Sequence, residues 1–263
     1  MEHQLFQVDA FTSKVFGGNP AAVIPLEQWL PDATLQAIAL ENNLPETAYF
    51  IPAAATESVD FHLRWFTPEV EMDLCGHATL AAAHVLMRHL GYEKKQVRFG
   101  SQSGSLAVER DGDRLVLDFP SRVPEPREVT PAFSEALGAR PKELHLARDW
   151  LAVYGTEEEV RSLRPDFAKV SALGAFAVIV TAPGKNSDFV SRFFAPGAGV
   201  PEDPVTGSAH CTLIPYWSRR LGKKSLHALQ VSKRGGELFC EDAGERVKIG
   251  GHAVTYLEGT IRI

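Results

Sequence analysis

Apolar and polar residues alternate over residues 58–66, with Val59, Phe61, Leu63 and Trp65 on one side and Asp60, His62 and Arg64 on the other. A period of two predicts an antiparallel strand with one buried face. Shorter apolar runs predict strands at 4–11, 21–24 and 46–52. Further strands are predicted at 96–99, 103–109 and 114–119, the last two joined through a hairpin turn at Asp111-Gly112. Two stretches carry a helical period instead. Leu35, Ile38 and Ala39 follow Pro31-Asp32, and this helix ends at Asn42-Asn43. Leu80, Ala83, Leu86, Met87 and Leu90 continue a second helix that opens at Gly76 and stops at Gly91.

The second half repeats this plan. It predicts a helix near 132–137, strands near 143–148 and 151–154, and a helix near 156–163. Strands at 175–181 and 187–194, a helix over 207–221 and three or four closing strands follow, with Gly235-Gly236 and Gly250-Gly251 read as turns. Between the halves, four prolines from Pro120 to Pro131 mark a linker. The expected layout is one domain over 1–118, a linker over 119–130 and a second domain over 131–253. The strand from 254 to 263 is expected to cross back to the first domain. Strands outnumber helices and most are joined by hairpins. The fold class is α+β, each domain a mostly antiparallel sheet rolled around a central helix.

One element is duplicated outright. Arg64-Trp65-Phe66-Thr67-Pro68 matches Arg192-Phe193-Phe194-Ala195-Pro196 at an offset of 128 residues. One inserted residue then pairs Cys75 with Pro204 and Ala78 with Gly207. A period of half a chain implies two related domains, with two helix N-termini facing each other across a cleft.

Charge and composition narrow the function. The formal net charge is −6, with no concentrated basic patch, which argues against a nucleic-acid partner. No run of 18 apolar residues suggests a membrane span, and Met1-Glu2-His3-Gln4 is not a secretory leader. Three cysteines without a CxxC spacing suit a reduced, cytoplasmic protein.

The candidate chemistry gathers at the two helix starts. Gly76-His77-Ala78-Thr79 and Gly207-Ser208-Ala209-His210 leave backbone N–H groups open to a carboxylate or phosphate. A glycine before a helix is also an ordinary turn, and the duplication is what favours the binding reading. His77 is either a partly exposed capping histidine or a donor to substrate. Asp203 is either a helix cap or an acid/base group. Glu46 opens an apolar strand with no cation beside it in sequence, a setting that raises a carboxyl pKa toward neutrality. Its alternative role is a surface residue at a strand edge. His77, His84 and His89 share one helix, but no HExxH or carboxylate cluster supports them, so no metal is expected.

Four ordered motifs carry a resemblance. Val8-Asp9-Ala10-Phe11-Thr12 with Gly18-Asn19-Pro20-Ala21-Ala22-Val23 forms the first, and Asn42-Asn43-Leu44-Pro45-Glu46-Thr47-Ala48 the second. DLCGHATLAAA from Asp73 and EDPVTGSAH from Glu202 complete the set. The chain resembles the PhzF-like (phenazine biosynthesis-like) isomerases of the diaminopimelate epimerase-like fold. The resemblance implies a homodimer that works without a cofactor on a small carboxylic acid, with Glu46 as the acid/base shuttle and His77 and Asp203 as catalytic partners. It implies substrate contacts from Gly76, Gly207, Ser208, Asn19 and Cys75. Racemases of this fold use two opposed cysteines, and here the mate of Cys75 is a proline. A 1,3-hydrogen shift or tautomerisation is therefore expected. The alternatives are a non-catalytic small-acid binding protein and a racemase working through Cys75 alone.

Overall fold

The computed structural model describes residues 1–263 and divides them into two compact units. Unit 1 is Met1–Asp118 with Gly250–Ile263, and unit 2 is Phe119–Ile249.

Unit 1 begins with β1 (Glu2–Ala10), β2 (Asn19–Pro25), α1 (Asp32–Asn42), β3 (Glu46–Pro52) and β4 (Phe61–Phe66). Then come β5 (Glu71–Met72), α2 (Gly76–Arg88), β6 (Gln96–Ser101), β7 (Gly104–Asp111) and β8 (Arg114–Pro120). Unit 2 runs through β9 (Glu125–Arg127), α3 (Pro131–Leu137), β10 (Glu143–Leu146), β11 (Trp150–Val153), α4 (Glu157–Ser162) and α5 (Phe167–Ser171). It continues with β12 (Val178–Pro183), β13 (Phe189–Ala195), β14 (Val200–Asp203), α6 (Gly207–Leu221), β15 (Ser225–Gln230), β16 (Gly236–Asp242) and β17 (Arg246–Gly251). The last strand, β18 (Ala253–Arg262), lies in unit 1 and pairs antiparallel with β1.

The two units share one wiring. In unit 1, β2 and β3 are parallel and β3 and β4 antiparallel. One edge of β4 is divided: its start runs parallel to β6, and its end runs antiparallel to the two-residue β5. In unit 2, β11 and β12 are parallel and β12 and β13 antiparallel. The edge of β13 is divided in the same way between β15 and β14.

Each unit wraps a helix that is buried on more than one face. On α2 every residue from Gly76 to Ala83 is buried, and Val85 and Leu86 follow. Its four alanines explain this, since small side chains let strands approach from all sides. A single apolar stripe would have left the opposite face wet; burial on several faces is that of the central helix expected from the sequence. On α6 the buried residues include Ala209, Leu213, Ile214 and Trp217. A second layer in unit 1 packs Leu35, Ile38 and Ala39 of α1 against Ile24, Tyr49 and Phe66.

Some expectations shift. The strand read at 58–66 starts at Phe61, because Asp60 turns aside to accept from Arg98 N (2.9 Å) and Lys94 Nζ (2.7 Å). The helix read to Leu90 ends at Arg88. The stretch read as a linker at 119–130 contains β9, paired antiparallel with β10. Gly250-Gly251 is not a turn but the end of β17. A Cβ on Gly251 would lie 2.4 Å from the Phe11 ring, so the glycine is there for close packing. Helix α5 was not expected; it has five residues, too few for a periodic signal, and Asp166 caps it through Ala168 N (3.1 Å) and Lys169 N (3.2 Å).

Candidate active site

In unit 1 the parallel pairing of β2 and β3 sets Ala21 opposite Glu46, so Asn19 and Glu46 lie at neighbouring strand starts. Gly18 makes this possible. Its φ is +60°, and a Cβ there would sit 2.1 Å from the Ala10 carbonyl oxygen. The start of α2 reaches the same place. Its N-cap residue is Cys75, with extended backbone, no side-chain cap and no acidic residue in the first turn. The first N–H groups of α2 are thus offered without a side-chain cap.

These elements bring Glu46, His77, Cys75 and Asn19 together. His77 Nε2 lies 3.0 Å from Glu46 Oε2. The contact is off-axis, and neither atom has a well-aligned hydrogen bond, although both are buried. On the other side of the ring, Asn19 Nδ2 stands 3.1 Å from Nδ1 and Cys75 Sγ 3.5 Å from it. The imidazole is a bridge with the carboxylate at one nitrogen and the amide and thiol at the other.

Burial, the largest influence on His77, opposes its charge, but the contacts with Cys75 and Glu46 outweigh it and push its pKa well above the ordinary value. Burial, with the Glu46 charge adding to it, pushes the Cys75 thiol up to about 11. At neutral pH Cys75 is therefore a thiol and no ready nucleophile.

This geometry corrects two expectations. His77 is no partly exposed cap; it is 3% exposed. Glu46 does not lack a cation; strand pairing and the helix start supply one that sequence neighbours did not reveal. Asn19, expected to touch substrate, is buried beside His77.

Glu46, Cys75 and His77 each place a ligand-type atom within 4.8 Å of the others, and they are the set that a metal would use. The fit is poor. Cys75 and Glu46 sit at different ring nitrogens, so the three donors do not converge on one point, and a metal would also have to displace a tightly held thiol proton.

In unit 2, Asp203 ends β14 and accepts a hydrogen bond from the Thr206 hydroxyl. Thr206 is the N-cap residue of α6 and its own side chain makes no cap hydrogen bond; Asp203 stands three residues before it. Gln230 organises the turn. Its Oε1 accepts from Thr206 N (2.8 Å), and its Nε2 donates to Asp203 O (2.8 Å) and Thr206 Oγ1 (3.2 Å). Gln230 escaped the sequence reading, yet its signal was present: it ends the inward series Leu226, Ala228, Gln230 of β15. Gly207 and Ser208 open α6 as expected, Gly207 buried and Ser208 partly exposed. His210 donates from Nδ1 to Thr206 O (2.9 Å), and burial lowers its pKa to about 4.

The register of the duplication also changes. The helix starts, Gly76 and Gly207, are offset by 131 residues, which pairs Cys75 with Thr206 instead of Pro204. The added residues lie in the loop that holds a 3-10 turn at Pro196–Ala198. The second copy still offers no thiol at this place. Tyr49 faces Arg64 as Val180 faces Arg192, so Glu46 corresponds to Ala177. The carboxylate belongs to unit 1 alone.

Known proteins resemble this chain over its length. Residues 8–259 match the family model described as phenazine biosynthesis-like protein. An uncharacterised isomerase of Pseudomonas aeruginosa is 52% identical over 264 residues, covering 100% of both chains. A solved PhzF-family protein of Enterococcus faecalis superposes with a TM-score of 0.96 at 48% identity, covering 100% of both chains. A hydroxyproline epimerase of Agrobacterium vitis shares the fold at 13% identity, with a TM-score of 0.63 over 99% of this chain and 92% of its own. No helix is long and apolar enough to cross a membrane. The family match from end to end, together with isomerase-named relatives half identical over the full length, shows that this chain belongs to the phenazine biosynthesis-like (PhzF) family and is an isomerase.

Proposed function

We propose that the protein moves a proton between two carbons of a small carboxylic acid, in a 1,3-hydrogen shift or tautomerisation, with Glu46 as the shuttle. The buried contact between Glu46 Oε2 and His77 Nε2 carries this reading. A carboxylate without a well-aligned partner is available to a C–H proton. As Glu46 takes that proton, the C–H electron pair enters the neighbouring π system and the double bond migrates. The Glu46 carboxyl then returns the proton to the far carbon. His77 orients the shuttle from Nε2 and, with the Asn19 amide turned to present Oδ1 to Nδ1–H, keeps positive charge beside it. The open N–H groups after Cys75, at Gly76 and beyond, suit the substrate carboxylate. Asp203 and Ser208, with Gly207, are assigned as a second proton-handling and binding group. Cys75 is assigned to substrate contact only, because its thiol pKa near 11 makes one-cysteine racemisation unfavourable.

The test is deuterium uptake in D2O by a panel of small unsaturated acids such as 3-butenoate and crotonate, followed by proton NMR. Wild type is expected to exchange and shift the double bond, and Glu46→Gln to lose both. Equal exchange by the variant would remove Glu46 from the mechanism.

A further inference from the structure

The most faithfully repeated residues in this chain touch none of the chemistry. In β4, Arg64 forms a bidentate pair with Glu71 of β5, Nε to Oε1 at 2.7 Å and Nη2 to Oε2 at 2.7 Å. In β13, Arg192 does the same with Glu202 of β14, at 2.7 and 2.9 Å. Each guanidinium also lies over the ring two residues further on, Arg64 over Phe66 at 5.1 Å and Arg192 over Phe194 at 4.9 Å. The Arg-x-Phe signature of the duplication is thus a clamp on the strand that leads into each helix start.

The clamp in unit 1 has a specific place in the fold. Strand β5 has only two residues, Glu71 and Met72, and two ladder partners, Phe66 and Trp65. So short a strand is weakly held by its ladder alone. Beyond it the chain passes through Asp73 and Leu74 to Cys75, Gly76 and His77. On its other side β4 pairs with β3, where Thr47 faces Phe66 and Glu46 is the first residue. Both ends of the Glu46–His77 contact therefore hang from neighbours of one strand. The side chains of Arg64 and Glu71 are 19% and 23% exposed, so the pair is largely shielded from water.

We infer that Arg64 and Glu71 are positioning residues for the isomerase, locking β5 to β4 so that the start of α2 holds His77 at its contact distance from Glu46. The inference rests on Glu46 and His77 as the working pair. Arg192 and Glu202 repeat the device directly before Asp203. Arg192 is also fixed by donating Nη1 to the carbonyls of Val160 and Leu163, both at 3.1 Å.

The test needs no substrate, so it stands apart from whether Glu46 is the shuttle. The imidazole nitrogens of His77 are titrated by nitrogen-15 NMR in the full chain, in wild type, Arg64→Lys and Glu71→Gln, with the melting temperature recorded beside each. If the pair positions His77, both variants lower the His77 midpoint by about half a unit or more, because the Glu46 contact lengthens while burial remains. Lysine should not restore it, since an ammonium cannot reproduce the two-pronged fork. Arg192→Lys serves as the control, lowering the melting temperature while leaving His77 in place. A fall in melting temperature in Arg64→Lys and Glu71→Gln with the His77 midpoint unmoved would show the pair to be merely structural. If Arg64→Lys fails to fold, the near-isosteric Glu71→Gln decides alone.

Discussion

Replacing Glu46 by glutamine should reverse the proton affinity of His77. In the wild type, burial disfavours the imidazolium, and the groups at its two nitrogens overcome that penalty. The Cys75 thiol, at about 11, is neutral through the working range, so the carboxylate 3.0 Å from Nε2 supplies the charge that matters. Two unit charges at such a separation attract by about 5 kcal/mol at an effective dielectric near 20. A neighbouring carboxylate commonly moves a pKa by roughly one to three units, and each unit corresponds to about 1.4 kcal/mol. Glu46→Gln keeps the shape and removes the charge. His77 is only 3% exposed, so burial is then opposed by the contact with the neutral Cys75 thiol alone, and its pKa should fall below about 6.5. The stability profile changes sign with it. In the wild type the folded pKa lies above the unfolded value, so this residue stabilises fully below about pH 6.5 and loses that contribution as pH rises through the folded pKa. In the variant the folded pKa is the lower one, and the contribution is lost as pH falls. Nitrogen-15 titration of His77 from pH 4 to 10, with urea melts at the same pH values, measures both. A His77 midpoint unchanged or raised in Glu46→Gln would refute the electrostatic account.

Other consequences are equally open to measurement. Gly251→Ala should cost about 1–3 kcal/mol in denaturant melts, because the new methyl meets the Phe11 ring at 2.4 Å in a filled core; a neutral result would mean the ring moves freely. Trp217→Phe removes the Nε1 donor at 2.9 Å from the buried Thr181 hydroxyl, which keeps only its own donation to Val190 O at 2.7 Å, and should cost about 1 kcal/mol in denaturant melts. His210, with its pKa lowered to about 4, loses stability as pH falls from about 6.5 toward that value. His210→Gln should flatten this acid limb in melts at pH 4 to 7. Cys75 should react with iodoacetamide far more slowly at pH 8 than a free thiol, being 5% exposed and protonated, and Cys75→Ala should keep deuterium exchange if the thiol is no acid/base group.

The sequence exposed the fold through local signals. Alternation marked β4, small residues marked the start of α2, and the Arg-x-Phe repeat announced two like units. What stayed hidden depends on pairing between distant residues. Asn19 and His77 are 58 residues apart and meet only because β2 runs parallel to β3, a neighbour relation that no local pattern encodes. The pairing of Arg64 with Glu71 and of Arg192 with Glu202 gave no signal, because a salt bridge has no periodicity. The mate of Cys75 was misplaced by two positions because matching on prolines cannot locate extra residues that fold into a 3-10 turn. Gln230 was legible in principle, as a polar residue in inward register, and a polar side chain there has to satisfy its own hydrogen bonds.

The position of β18 has a consequence for how the molecule is made. β1 lies between β2 and β18, and β18 is translated after the whole of unit 2. A ribosome adding roughly 5–20 residues per second needs about 6–26 seconds to cross the intervening stretch. Throughout that time β1 has an open edge able to recruit other strands, while unit 2 is a continuous segment that can close first. Unit 1 is begun first and finished last. A nascent chain stalled before residue 250 would carry Glu46 and His77 on a sheet still missing its outer strand.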